Sequence, residues 1–223
     1  MRLIDYPDDE MLAMGVANAL AEDLTSALDH EARALLCVAG GSTPAPVYDV
    51  LCDADLDWGR VDVVLSDERW VPEDHARSNA GMIRRRLLTG RAAAATFLPL
   101  YIAAETPEPV LAELETNILP RLPIAVALLG MGADKHTASI FPGADRLDEA
   151  LDDRAPVLVP MRVPGQEDIR VTLSARVLNG TMAKHIVITG QEKRAALDTA
   201  LGARAQEAPV AALLPDALVH WAP

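Results

Sequence analysis

Cysteine is scarce: Cys37 and Cys52 are the only two in 223 residues, too few for a disulfide framework. Cys37 sits in the apolar run Leu35-Leu36-Cys37-Val38, where a thiol behaves as a small hydrophobe, and both cysteines are read as structural. Positive charge is scarce too. Lysine and arginine total 20 against 33 aspartates and glutamates, a net charge of −13. That balance argues against a nucleic-acid partner, whose affinity comes from Lys and Arg neutralising phosphates, and against a polybasic membrane anchor. No stretch approaches the ~20 consecutive apolar residues of a membrane span. Asp5, Asp8 and Asp9 stand where a signal peptide would have its apolar core, so a cytoplasmic protein is expected. Neither HExxH nor a cysteine cluster is present, and no metal or cofactor is expected. Repeats, low-complexity tracts and linkers are missing as well, and residues 1–223 are read as one domain. Half of the residues are hydrophobic, and a chain of this length buries roughly 70% or more of the surface its unfolded form exposes.

What is present follows two periods. Leu12, Val16, Leu20, Leu24 and Leu28 recur every four residues and predict a helix over 8–30 with one apolar face. Short, almost uninterrupted apolar runs at 34–39, 61–65, 124–129 and 186–189 predict buried strands. Helices are expected at 45–51, through Met82, Ile83 and Leu87, at 109–119 and at 191–201. Apolar strands alternating with helices indicate an α/β fold, with a mostly parallel sheet covered on both faces. Residues 142–165 read as a long irregular stretch. In such sheets ligands sit outside the carboxyl ends of the strands, so the residues after each apolar run carry the information.

After the first run comes Gly40-Gly41-Ser42-Thr43-Pro44. Two glycines permit close backbone approach, and Pro44 suits a helix start, where free amides make an anion site; an ordinary capped turn has the same composition. After the second comes Ser66-Asp67-Glu68-Arg69-Trp70-Val71-Pro72. Charges joined to a buried strand are costly unless paired or functional, so Asp67, Glu68 and Arg69 are either site residues or a mutual ion-pair network. After the third, Gly130-Met131-Gly132 leads into Asp134-Lys135-His136. A carboxylate two residues from an imidazole can orient it as a general base. His30, His185 and His220 lack that setting, and His75 is the only other histidine near a candidate segment. Arg162, Arg170 and Lys193 are candidate anion holders. Lys193 falls in the first turn of a predicted helix, where positive charge opposes the dipole unless an anion is bound.

In order along the chain, Gly40 to Pro44, Asp67 to Pro72 with Ser78-Asn79, Gly130 to Gly143, and Arg170-Val171-Thr172-Leu173 followed by Gly190-Gln191-Glu192-Lys193 resemble the motifs of the glucosamine-6-phosphate isomerase/6-phosphogluconolactonase family, on its lactonase side. The resemblance implies a modified Rossmann-like fold shared with sugar-phosphate deaminases and isomerases. It also implies metal-free hydrolysis of a small-molecule sugar-phosphate lactone, 6-phosphoglucono-1,5-lactone; a monomer or weak homo-oligomer is expected. His136 is then the expected base and Asp134 its orienting carboxylate. Gly40, Gly41, Ser42, Thr43, Arg162, Arg170 and Lys193 are expected at the phosphate, with Asp67 or Arg69 at the lactone. Two features depart from the pattern. Lys135 stands where the family usually has Gly, and the chain stops at Pro223, short of an acidic residue that many members carry. A sugar-phosphate deaminase or isomerase is the alternative enzyme, but Phe141 occupies the place of the deaminase acid/base Glu, and a phenyl ring moves no proton. A non-catalytic sugar-phosphate sensor is the alternative outside enzymes.

Overall fold

The computed structural model describes residues 1–223. Its main sheet has seven strands: β1 (Arg2–Asp5), β2 (Ala34–Val38), β3 (Val61–Leu65), β5 (Thr96–Leu98), β6 (Val126–Gly130), β9 (Ala183–Thr189) and β10 (Leu218–Ala222). They lie in the order β1-β10-β9-β6-β2-β3-β5, and every neighbouring pair is parallel. All residues of β2 and β3 are buried, as unbroken apolar runs in a two-sided parallel sheet require. The helices are α1 (Asp9–His30), α2 (Ala45–Leu51), α3 (Asn79–Arg86), α4 (Leu111–Ile118), α5 (Leu147–Leu151), α6 (Ala175–Asn179) and α7 (Gln191–Ala200). Asp8 caps α1 by accepting from the Met11 amide at 2.8 Å, and the face of four leucines and one valine expected from the sequence is buried. A single cluster of 61 buried residues forms the core. No helix is long and apolar enough to cross a membrane.

A second sheet was not expected. β4 (Asp67–Arg69), β8 (Arg170–Leu173) and β7 (Leu158–Met161) pair antiparallel in the order β4-β8-β7. The irregular reading of 142–165 is therefore corrected, since it contains α5 and β7. Pro160 lies within β7, and proline demotes a strand to an edge; β7 pairs only with β8, so it is one. β4 is three polar residues with no alternation to read.

Glu68 is neither a site residue nor part of an ion-pair network. It is 1% exposed, and its carboxylate accepts from the Asn79 and Ala80 amides at 2.8 and 2.7 Å and from Ser78 Oγ at 3.1 Å. A carboxylate at the start of α3 complements the helix dipole. Burial pushes its pKa up, and the amide bonds pull against that shift.

A polar seam crosses the other edge of the main sheet. The Tyr6 hydroxyl donates to His220 Nδ1 (3.0 Å), His220 Nε2 donates to His185 Nδ1 (3.0 Å), and His185 Nε2 donates to Asp23 Oδ2 (2.7 Å). Every link is satisfied with both imidazoles neutral. Burial lowers the pKa of both, against the pull of Asp23 on His185, and pushes His220 down to about 4 with help from His185 and Arg2. An unfolded histidine titrates near ~6.5. Below that pH the unfolded chain takes up protons that the folded chain refuses, so this stability is complete above about pH 6.5 and is lost as pH falls towards 4. Thermal melts should therefore lose about 1 kcal/mol through His220 between pH 6.5 and 5.5, and His220→Gln should flatten that slope. An identical slope in the variant would remove the seam as its source.

Candidate active site

At the carboxyl ends of β2 and β6, beside the small sheet, lies a cleft of about 220 Å³. Gly40, Gly41, Ser42 and Thr43 line it after β2, Asp67 and Arg69 from β4, His136 after β6, Arg170 from β8 and Lys193 from α7. Segments separated by more than a hundred residues thus meet at one place. Arg162 does not join them. Its Nη1 lies 2.7 Å from Glu108 and 3.8 Å from Asp145, so two local carboxylates outside the cleft hold this cation, and its expected phosphate role is corrected.

The turn after β6 sets the imidazole. Asp134 Oδ1 accepts from His136 Nδ1 at 2.5 Å and from the His136 amide at 3.2 Å, and the bond from His136 holds the Asp134 carboxyl below its ordinary range. With Nδ1 engaged, Nε2 is left as the acceptor, the tautomer a general base needs. A Cβ at Gly132 would lie 2.2 Å from His136 Nδ1, so only glycine lets the ring sit there. At Gly40 the close approach is not to a ligand: a Cβ would lie 2.0 Å from Asn79 Oδ1.

Asn79 and Ser139 were legible only as members of longer motifs, and the structure gives them specific bonds. Asn79 Nδ2 donates to the Asp67 carbonyl (2.9 Å) while its Oδ1 accepts from Arg69 Nη1 (3.2 Å). Ser139 Oγ donates to Asp67 Oδ2 (2.6 Å), and Ser66 Oγ donates to Asp67 Oδ1 (2.8 Å). Arg170 Nη1 lies 3.4 Å from Ser139 Oγ and 4.0 Å from Asp67 Oδ2, and Nη2 donates to Gln166 at 2.6 Å. Its buried Nε has no partner. Lys193 Nζ donates to Thr43 Oγ1 at 3.3 Å. Burial pushes down the pKa of both Arg170 and Lys193, which marks cations whose charge the protein itself does not fully compensate. Three cations, Arg69, Arg170 and Lys193, face one carboxylate, Asp67, in the cleft. This donor set suits an anion. No three His, Cys, Asp or Glu side chains cluster as a metal site.

The sequence pattern of a family described as glucosamine-6-phosphate isomerases/6-phosphogluconolactonase matches residues 7–221. The chain is 44% identical to a 6-phosphogluconolactonase of Pseudomonas aeruginosa over 95% of its own length and 90% of the relative's. It is 37% identical to one of Caulobacter vibrioides over 96% and 92%. Among solved structures, a 6-phosphogluconolactonase from Shewanella baltica superposes with a TM-score of 0.96 at 29% identity, covering 100% of this chain and 98% of that one. A monomeric glucosamine-6-phosphate deaminase shares the fold, with a TM-score of 0.79 at 18% identity over 100% and 97%.

The site turn contains two non-glycine residues in the left-handed region, Lys135 (φ 68°) and Ala138 (φ 50°). Such a conformation costs roughly 1–2 kcal/mol for a residue with a Cβ, whereas added unfolded-state entropy makes glycine unfavourable by about 0.4–1 kcal/mol. Lys135→Gly should therefore leave the melting temperature unchanged or raise it by up to a few degrees. A loss exceeding about 1 kcal/mol would mean that the Lys135 side chain contributes more than the backbone strain removes.

Proposed function

The chain belongs to the glucosamine-6-phosphate isomerase/6-phosphogluconolactonase family, and from that membership we propose that it hydrolyses 6-phospho-D-glucono-1,5-lactone to 6-phospho-D-gluconate, the lactone-opening step of the oxidative pentose phosphate pathway. The observation that carries this reading is the Asp134-bound His136 in a cleft whose other charged side chains are three cations and one carboxylate. The relatives named as lactonases support it. So does Phe141, 5% exposed beside His136, where a deaminase of this fold would need an acid.

On this reading the phosphate binds between Lys193, Arg170 and the Gly41-Ser42-Thr43 turn, where charge-assisted hydrogen bonds replace water. The dianion supplies the countercharge that half-buried Arg170 and Lys193 lack. Anchoring the phosphate places the lactone carbonyl beside His136. Nε2 takes a proton from water as the oxygen attacks C1, and Asp134 stabilises the imidazolium that forms. The tetrahedral intermediate collapses by breaking the bond from C1 to the ring oxygen, which receives the proton back from His136. Asp67, with both oxygens engaged by Ser66 and Ser139, orients Arg170. Arg69, bonded only through Nη1, keeps its remaining N–H groups for the sugar hydroxyls or the developing oxyanion. An activated ester needs less assistance than an amide, and a general base worth about 10²–10⁴ in rate plus positioning is sufficient.

The direct test is a coupled assay of freshly made lactone in a buffer that slows its spontaneous opening. Acceleration over buffer is expected, with no ammonia released from glucosamine 6-phosphate; tight sugar-phosphate binding without turnover would favour a sensor. His136→Ala should lower kcat by about 10² or more with folding intact, and Asp134→Asn should lower it less. A near-normal kcat in His136→Ala would remove it from the mechanism.

Phosphate recognition has a separate signature. Charge-assisted bonds contribute about 1.5–3 kcal/mol each, and the phosphate is several bonds from the reacting carbon. Lys193→Ala and Arg170→Ala should raise KM for the phosphorylated lactone roughly 10-fold or more, with smaller losses in kcat, and barely affect unphosphorylated gluconolactone. Equal losses on both lactones would move the anion site elsewhere.

A further inference from the structure

Phe141 does more than occupy an alternative acid's place. Its ring stacks on the His136 imidazole, with centroids 3.9 Å apart and planes inclined by 19°, and Arg170 Cζ lies 5.2 Å from the same ring centroid. The imidazole is thereby confined by three neighbours: the Gly132 backbone, the Asp134 carboxylate and the phenyl face. Its own turn carries Asp134 and Lys135, and Asp67 and Arg69 of β4, Arg170 of β8 and Lys193 of α7 line the same cleft. A nearby carboxylate favours a positive imidazolium and a nearby cation opposes it. An aromatic face carries negative quadrupole density and attracts a cation placed over it. An aliphatic side chain of similar size would exclude water equally well but would not attract the charge.

We propose, resting on the general-base reading of His136, that Phe141 is a positioning residue whose ring face fixes the plane of the imidazole and stabilises the imidazolium formed as water attacks the lactone. The ring acts on the base and on one of the cations that hold the phosphate. Arg170 does not depend on it, because Gln166, Ser139 and Asp67 also hold the guanidinium. Loss of the ring therefore acts mainly on the proton-transfer step and little on substrate binding.

The test compares wild type with Phe141→Leu and Phe141→Tyr by steady-state kinetics across pH. It also follows the His136 resonance, identified by its loss in His136→Ala, by NMR titration of the substrate-free protein. In Phe141→Leu, kcat should fall about 3- to 10-fold while KM changes less than about threefold. The acid limb of kcat and the His136 titration midpoint should both move down by about half a pH unit. Phe141→Tyr, which keeps the ring, should stay within about twofold of wild type in kcat. A lower kcat with an unmoved midpoint would show packing alone and overturn the proposal, as would an unchanged kcat. A shifted midpoint in a protein with no lactonase turnover would instead mark failure of the general-base reading, and the proposal would fall with it. If Phe141→Leu does not fold, wild type still decides: stacking requires an upfield ring-current shift of the His136 Cε1 proton, and an unshifted resonance overturns the contact.

Discussion

Ser66, the bend between β3 and β4, hydrogen-bonds to both sheets, and the geometry of the cleft follows from that. Its amide donates to the Val38 carbonyl at the end of β2, while its carbonyl accepts from the Leu173 amide of β8. Its hydroxyl donates to Asp67. One fully buried serine therefore fixes where the small antiparallel sheet stands against the ends of the parallel strands. Asp67 extends the joint by accepting from Ser139 in the turn after β6, and Asn79 ties the Asp67 carbonyl to Arg69. An unpaired buried carboxylate would be strongly unfavourable, so these hydroxyls and Arg170 allow Asp67 to remain there. Their arrangement sets the position of Arg170 relative to His136.

Charge is distributed against the average of the molecule. A chain of net charge −13 repels an approaching dianion at long range, yet its cleft presents three cations to one carboxylate. Short-range contacts in a partly desolvated cleft outweigh a screened surface field, because the Debye length at physiological salt is only about 8 Å. The two half-buried cations, Lys193 and Arg170, are held in place by Thr43 and by the Gln166 and Ser139 contacts. Less side-chain ordering then remains to be done on binding.

The turn that carries His136 shows how local strain is held at the wall of the cleft. Lys135 and Ala138 both adopt positive φ. The turn is tied by bonds from the Gly132 amide to the His136 carbonyl, from Thr137 Oγ1 to the Gly130 carbonyl, and from the Val210 amide to the Lys135 carbonyl. Surrounding structure over-determines the conformation, which is the condition under which such strain persists. A glycine at position 135 would relieve one of the two strained positions; lysine tolerates the strain because its backbone is bonded from both sides.

Sequence periodicity was sufficient for α1, β2 and β3, because a buried face imposes a repeat of about four on a helix and a continuous apolar run on a two-sided strand. The Asp134–His136 pairing was legible for the same local reason, since two positions apart on one turn are already within reach. β4 was not, because three charged residues carry no hydrophobic signal, and β7 was hidden by Pro160, which only an edge strand tolerates. The assignments that failed or stayed open depended on partners far along the chain. Arg162 had the right charge for the anion site, but the fold sets Glu108 and Asp145 beside it. Glu68 was left open between a site role and an ion-pair network until α3 placed its amides against the carboxylate. Composition and spacing determined most of the main-sheet strands and helices and which turn carries the Asp134–His136 pair. Only the tertiary structure decided which charges meet, because an ion's partner is set by distance in space and not by separation in sequence.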